Sequence, residues 1–413
     1  MNQLRSYRQS RRRFGKLGVV LLIGVCMLLM QSCARPQANE TKPSPTAVEQ
    51  DPLDRQIADM SLEDKVGQMI IAGIDGKVID PEASKMIKDE RIGGIILYGN
   101  NISDLQGMVA LVNALKQANA GNSVPLLISV DQEGGKVSRM PKSFTAIPSS
   151  KKVGATNNPA LAEEMGTLLA EELKLTGFNM NFAPVLDVNS NPANPIIGSR
   201  SFGSTAELVS RMGMAEMKGI RENGIIPVVK HFPGHGDTSV DSHLELPVVN
   251  KTREELAKLE WLPFEAAIEQ RTDAIMVAHI LYPHLDPDKP ASISAAIIGD
   301  VLRGKMGYDG VVMTDDLTMG AITKNYGLAE AALDSVQAGS DIVLIAHGYD
   351  NALQVRDTLL KSIQENKLSI EQIDKSVRRI LSLKQRYQLN DETVPVPDLK
   401  DLNARIKAWI NKL

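Results

Sequence analysis

From Pro52 onward, short apolar runs alternate with longer amphipathic stretches. The runs are Gln68–Ala72, Gly94–Leu97, Pro125–Val130, Asn179–Val185, Ile225–Val229, Ala274–Ala278, Gly310–Met313 and Asp341–Ile345. Each is brief and rich in Val, Ile and Leu, the pattern of parallel strands buried on both faces. Between them, Leu105–Ala118, Pro159–Lys174, Ala206–Asn223, Arg253–Gln270, Ala295–Met306 and Gly327–Ala338 place apolar residues three and four apart, which predicts helices. Ser103-Asp104 and Thr252 stand where N-caps are wanted. This alternation predicts an α/β fold, a single (β/α)8 TIM-type barrel over residues 52–413. The strands after the third are widely spaced, so long βα loops must be inserted. Residues 350–413 read as two helices, a turn rich in acid and proline at Asn390–Pro397, and a short closing helix.

The N-terminal segment breaks this pattern. Residues 1–33 hold Arg5, Arg8, Arg11, Arg12, Arg13 and Lys16, no acid, and both cysteines, Cys26 and Cys33. The basic stretch is followed by an apolar run, Leu17–Met30, and then Gln31-Ser32-Cys33. That is the layout of an export signal. The apolar run has 14 residues, short of the ~20 that a membrane-spanning helix needs. Cys33 occupies the place of a lipidated cysteine, with Ser32 suitable before it and Met30 a departure from the usual Leu. Ser10-Arg11-Arg12-Arg13-Phe14 also resembles a twin-arginine signal. Residues 34–51, rich in Pro, Thr, Gln, Asn and Ala, cannot bury a core and read as a flexible tether. The expectation is an exported lipoprotein, its signal removed before Cys33 and membrane contact made through that residue. A secreted form, or one retained by an uncleaved leader, is the alternative.

Charge sharpens the division. The chain has 46 Lys+Arg and 50 Asp+Glu; with six bases in the leader, the remainder holds 40 against 50 and stands at −10. Such a body has no basic footprint for nucleic acid. No cysteine lies beyond position 33, so no disulfide framework is available. At 43% hydrophobic and 23% charged residues the body is an ordinary globular protein.

In a barrel of this kind chemistry sits where the βα loops converge, at the C-terminal ends of the strands. All six histidines, His231, His235, His243, His279, His284 and His347, fall just after a strand or in a βα loop. The densest segment is Lys230–His243, KHFPGHGDTSVDSH, whose glycines and proline predict a loop. Asp241 and His243 are two apart, so both can face one cavity; a carboxylate bonded to an imidazole fixes its tautomer and makes it a better proton carrier. His235, Asp237, Asp241 and His243 could in principle hold a metal. The first strand, however, ends in Ala72-Gly73-Ile74-Asp75-Gly76, without the paired histidines of a barrel metallohydrolase, and no metal is expected. Asp315 ends the seventh run and could serve as base, metal ligand or nucleophile. Asp316 should point the opposite way and suits a cap. Asp131, Arg139, Arg200, Lys230 and His231 supply the donors and acceptor that a polyhydroxylated ligand wants. Glu133-Gly134-Gly135-Lys136 lacks the spacing of a phosphate loop, so no nucleotide cofactor is expected.

KHFPGHGDTSVDSH, together with DQEGGKVSR (Asp131–Arg139), NFAPVLDV (Asn181–Val188), IIGSRSFG (Ile196–Gly203), MTDDLTMG (Met313–Gly320) and AGSDIVLI (Ala338–Ile345), resembles the β-N-acetylhexosaminidases of glycoside hydrolase family 3. The likeness runs in order from about residue 55 to 390. It implies that Asp315 is a nucleophile forming a covalent glycosyl–enzyme. Asp241 and His243 would be the acid/base pair, and Asp131, Arg139, Arg200, Lys230 and His231 the sugar-binding residues. One departure is Lys136, where the family usually has Arg. The resemblance implies a single-domain, retaining exo-β-N-acetylglucosaminidase; a monomer without cofactor is expected. Its partners would be β-GlcNAc-terminated glycans or muropeptides, from peptidoglycan (GlcNAc–MurNAc) or chito-oligosaccharides. A β-glucosidase, a GlcNAc phosphorylase and a non-catalytic glycan-binding lipoprotein remain the alternatives.

Overall fold

A computed structural model describes residues 51–413. The expected leader, the expected lipidation position Cys33 and the expected tether as far as residue 50 lie outside the described residues. Eight parallel strands close into a barrel in sequence order: β1 Ile70–Gly73, β2 Gly94–Leu97, β3 Leu127–Val130, β4 Met180–Asn181, β5 Ile226–Phe232, β6 Ala274–Val277, β7 Val311–Asp316 and β8 Ile342–Ile345. The ring closes where β1 pairs β8, with Ile71 opposite Leu344. All eight expected runs contain a strand, because each is apolar enough to bury on both faces.

Three strands differ instructively from the apolar runs. The fourth run extends over seven residues but only Met180 and Asn181 form a regular strand. Pro184 has no N–H to give to a ladder, and the segment continues beside β5 by single bonds, such as Leu186 N–H to the Lys230 carbonyl at 2.7 Å. Conversely, β5 and β7 run on past their apolar runs and take Lys230, His231, Asp315 and Asp316 into the barrel wall. Lys230, His231 and Asp315 are thereby carried on strand ends, while Asp241 and His243 stand on the loop that follows β5.

The helices follow the predicted pattern with one division. Arg253–Gln270 forms two helices, Arg253–Lys258 and Leu262–Glu269. Pro263 lies in the first turn of the second, where a missing N–H costs nothing, whereas it would break a helix interior. Thr252 and Glu255 form a reciprocal capping box, and Asp104 caps Leu105–Ala118. Helices Pro159–Thr176 and Ala206–Glu222 cross closely on glycines: a Cβ on Gly166 would lie 2.2 Å from the Glu216 carbonyl oxygen.

The far end of the barrel is sealed by helix Ile370–Arg386. Its Lys384 is 3% exposed. Nζ donates to Gln68 Oε1 at 2.6 Å, the Gly93 carbonyl at 2.9 Å and the Pro125 carbonyl at 2.7 Å, groups that immediately precede β1, β2 and β3. Among the described residues no helix is long and apolar enough to cross a membrane.

Candidate active site

A pocket opens at the C-terminal ends of the strands, where the barrel fold places it. It is lined by all eight expected site residues: Asp131, Arg139, Arg200, Lys230, His231, His243 and Asp315 directly, and Asp241 through its bond to His243. Long loops after β3, β4 and β5 build its walls, and Tyr98, Met319 and His347 join them from the segments after β2, β7 and β8. Apolar side chains, among them Phe182, Met276 and Leu344, share the lining.

Asp315 is half-buried at the end of β7, and its Oδ1 accepts the backbone N–H of Asp316 at 2.9 Å. Burial pushes its carboxyl up, but the imidazoles of His279 and His231, the Asp316 N–H and the Lys230 ammonium outweigh that and hold it at about 2. The group is therefore ionised throughout the working range of an enzyme. It caps no helix. Nor does Asp316 cap one as expected: the next helix, Gly320–Thr323, has Met319 at its N-cap, while Asp316 accepts from Thr318 N–H at 2.9 Å in a turn and from Ala346 N–H after β8 at 2.9 Å, and it lines the pocket beside Asp315 because the β7–β8 register shifts between Met313 and Asp316.

The cations opposite are held by a residue the sequence reading passed over. Glu133, 2% exposed, accepts from Arg200 Nε at 2.8 Å and Nη2 at 2.6 Å, and from Lys230 Nζ at 2.8 Å. Lys230 also bonds Asp131. Burial would raise the Glu133 carboxyl; the Arg200 and Lys230 charges draw it far below the ordinary range. Lys230 and His231 both reach the pocket although neighbours on a strand normally face opposite sides. The β5–β6 register shifts between Val229 and Phe232, and that irregularity turns them.

His231 Nδ1 lies 2.6 Å from Asp187 Oδ2, and its Nε2 lies 3.3 Å from Arg200 Nη2. A guanidinium can only donate, so Nε2 accepts and the ring proton sits on Nδ1, toward Asp187. Asp187 is fully buried at 0% exposure. Arg139 is placed by its backbone N–H, which donates to Gln132 Oε1 at 2.8 Å; its Nε is buried with no partner among the described residues.

Asp241 and His243 are bonded as the spacing suggested. Asp241 Oδ1 accepts from His243 Nδ1 at 2.8 Å and from the His243 N–H at 2.9 Å. The His243 side chain is 64% exposed, so Nε2 is free to meet a ligand at the pocket.

The histidine cluster divides. His231, His235, His243 and His347 line the pocket, and His347 stacks on Tyr98 with ring centroids 5.5 Å apart. His279 is buried behind β7, donating from Nε2 to the Asp316 carbonyl at 2.8 Å, and His284 lies on the surface away from the pocket. Lys136 is exposed and donates to the Ile196 carbonyl at 3.0 Å, tying the loop after β3 to that after β4. Among the described residues no three His, Cys, Asp or Glu side chains converge as metal ligands. His235 and Asp237 instead bond within the protein, to Thr238 and Ser242 and to Lys251.

Known proteins resemble this chain over most of the barrel. Residues 61–383 match the glycosyl hydrolase family 3 N-terminal domain. A β-hexosaminidase of Tolumonas auensis is 38% identical over 293 residues, 70% of this chain and 86% of that one. β-Hexosaminidase A of Pseudoalteromonas piscicida is 36% identical over 342 residues, 77% of this chain, and the match spans 57% of that longer protein. A solved family 3 β-N-acetylglucosaminidase from Paenibacillus sp. superposes with a TM-score of 0.80 at 42% identity, covering 86% of this chain and 69% of that one. With the family domain matched over most of its barrel and the carboxylates, cations and histidines gathered at the strand ends, the chain belongs to glycosyl hydrolase family 3.

Proposed function

We propose that the protein is a retaining exo-β-N-acetylglucosaminidase that releases terminal β-linked GlcNAc. The observation that carries this reading is one pocket shared by an ionised strand-end carboxylate, Asp315, and an accessible imidazole, His243, whose other nitrogen is held by Asp241. Asp315 attacks the anomeric carbon as the C–O bond to the leaving group breaks. Protonated His243 donates to the departing oxygen, and Asp241 stabilises the imidazolium. Water, deprotonated by the same imidazole, then cleaves the glycosyl–Asp315 ester. Two displacements at one carbon restore the starting configuration. Asp131, Arg139, Arg200, Lys230 and His231 hold the sugar hydroxyls. The solved β-N-acetylglucosaminidase relative supports the choice of sugar.

The natural substrate in this reading is a peptidoglycan fragment, GlcNAc–MurNAc, met outside the cytoplasm. The basic leader and Cys33 support that placement: the signal is cleaved before Cys33, which carries the lipid, and residues 34–51 tether a monomeric barrel to the membrane. The test is product analysis on GlcNAc–anhydroMurNAc beside chitobiose, in buffer with and without phosphate. Free GlcNAc from the muropeptide sugar at the higher kcat/KM supports the reading. GlcNAc 1-phosphate as product, or preference for chitobiose, would replace it. Cys33→Ser should move the protein from the membrane fraction to the soluble one.

A further inference from the structure

The catalytic steps above leave two pocket histidines, His235 and His347, without a task, and the first is bonded into the loop beneath the acid/base pair. His235 is 2% exposed and belongs to the root of the loop that carries Asp241 and His243. The root is fixed: a Cβ on Gly236 would lie 1.7 Å from the Val188 carbonyl oxygen, so only glycine lets the loop rest on that backbone. The His235 N–H donates to Asp187 Oδ1 at 2.6 Å. Asp187 also holds His231, so a sugar-side histidine and the loop root hang from one buried carboxylate.

The His235 ring is engaged on both sides. Nδ1 lies 2.8 Å from Thr238 Oγ1, which also accepts from Asn194 Nδ2 at 3.2 Å and donates to the His235 carbonyl at 3.1 Å. Thr238 thereby holds Nδ1 and leaves Nε2 to face the loop. Its partner at 3.2 Å is the hydroxyl of Ser242, the residue between Asp241 and His243. Burial, aided by His231, pushes His235 down to about 4, so at neutral pH the ring is uncharged and bonds Thr238 and Ser242 as a neutral imidazole. Ser242 is 2% exposed, whereas its neighbour His243 has a side chain 64% exposed. The backbone around it is held too: the Ser242 and His243 carbonyls accept from Ala321 and Gly320 N–H at 3.1 and 3.2 Å.

We propose that His235 is a positioning residue for the acid/base pair: through Nε2 it grips the Ser242 hydroxyl and so sets where Asp241 and His243 stand over the pocket. This rests on the reading of His243 as proton donor. A proton donor displaced by a fraction of an ångström matters little when the leaving group departs unaided. It matters greatly when the leaving oxygen must be protonated.

The experiment compares Ser242→Ala, His235→Asn and His235→Gln on two substrates, a 2,4-dinitrophenyl β-N-acetylglucosaminide and chitobiose, with thermal melts as a folding control. Asparagine keeps the Nδ1 side of the ring and loses the Ser242 grip; glutamine places an amide oxygen near Nε2 and keeps it. The expected result is a loss of roughly tenfold or more in kcat/KM on chitobiose for Ser242→Ala and His235→Asn, with under about threefold on the dinitrophenyl glycoside. His235→Gln should recover most of the chitobiose rate. Equal losses on both substrates, or no loss in Ser242→Ala, would overturn the proposal. His243→Ala run alongside separates the two readings. If it shows the leaving-group dependence and Ser242→Ala does not, positioning by His235 fails while the acid role stands. If His243→Ala itself shows none, the acid role fails and takes the positioning proposal with it.

Discussion

Replacing Glu133 by glutamine should both loosen the fold and weaken sugar binding. The side chain keeps its shape but loses a charge and half its acceptors. In the native site three N–H donors reach its two oxygens: Arg200 Nε and Nη2 at 2.8 and 2.6 Å, and Lys230 Nζ at 2.8 Å. Glutamine offers one oxygen, and its NH2, whichever way it turns, faces a cationic donor. Arg200 and Lys230, at 11% and 2% side-chain exposure, would then repel each other with Asp131 as the nearest remaining counter-charge. Removing one side of a buried ion pair costs about 3–5 kcal/mol. For a domain of this size that corresponds to a fall in Tm of about 4–7 °C. Acid titration cannot report on this group, because its carboxyl is held so low that the stability it confers is lost only in strong acid. Substitution can. The assay is a thermal melt followed by circular dichroism, with kcat and KM on an aryl glycoside measured well below the melting range. KM should rise about tenfold or more as the Arg200 guanidinium loses its orientation. A Tm within about 2 °C of wild type together with an unchanged KM would refute the assignment of Glu133 as the anchor of the two cations.

Glu216, 1% exposed with Oε2 unpartnered among the described residues, gives a pH-dependent prediction. Burial first, and then the Glu133 charge, push its carboxyl from 4.5 to about 8, only partly opposed by Lys230. A raised folded-state value means stability fully present below the ordinary carboxyl range and lost as pH rises through about 8. Glu216→Gln should therefore move the urea midpoint little at pH 5 and upward at pH 8, by a few kcal/mol at most; parallel pH profiles would contradict it. Buried Glu172 is pushed to about 8 in the same way, against the Gln132 hydrogen bond, so some slope should persist in the single variant. Lys384→Met removes the donor for three acceptors at the far end of the barrel. It should cost roughly 3 kcal/mol or more with kcat per folded molecule unchanged; an unaltered urea midpoint would show the lysine to be dispensable.

Much of the barrel was legible because local pattern and tertiary environment coincide. A strand buried on both faces must be an apolar run, and every one of the eight runs is. Asp315 and the Asp241–His243 pair were legible for a similar reason: the first ends such a run, and the members of the second stand two positions apart on a glycine-rich loop. Glu133 was not, because its partners lie 67 and 97 positions away and leave no period in the sequence. It stood in DQEGGKVSR, a segment that carried the family resemblance without assigning Glu133 a task. Asp187 likewise stood in a quoted motif with no partner to be read from it, and Lys384 was hidden by the helix pattern around it. The extension of β5 through Lys230 and His231 was obscured because polar side chains end an apolar run before they end the hydrogen-bonded ladder. His279 shows the converse. It follows a strand as a catalytic residue would, yet it faces the back of β7 and fixes the Asp316 carbonyl.

The central claim is that Asp315 forms a covalent bond to the sugar. The direct test is to inactivate the enzyme with a 5-fluoro-N-acetylglucosaminyl fluoride, digest it, and locate the added mass by tandem mass spectrometry. Fluorine at that position slows both displacements while the fluoride leaving group keeps the first one fast, so the ester accumulates. The account predicts a single label on Asp315 and none on its neighbour Asp316, with no labelling in Asp315→Asn. A label on Asp316 or on Asp131, or labelling undiminished in Asp315→Asn, would contradict it.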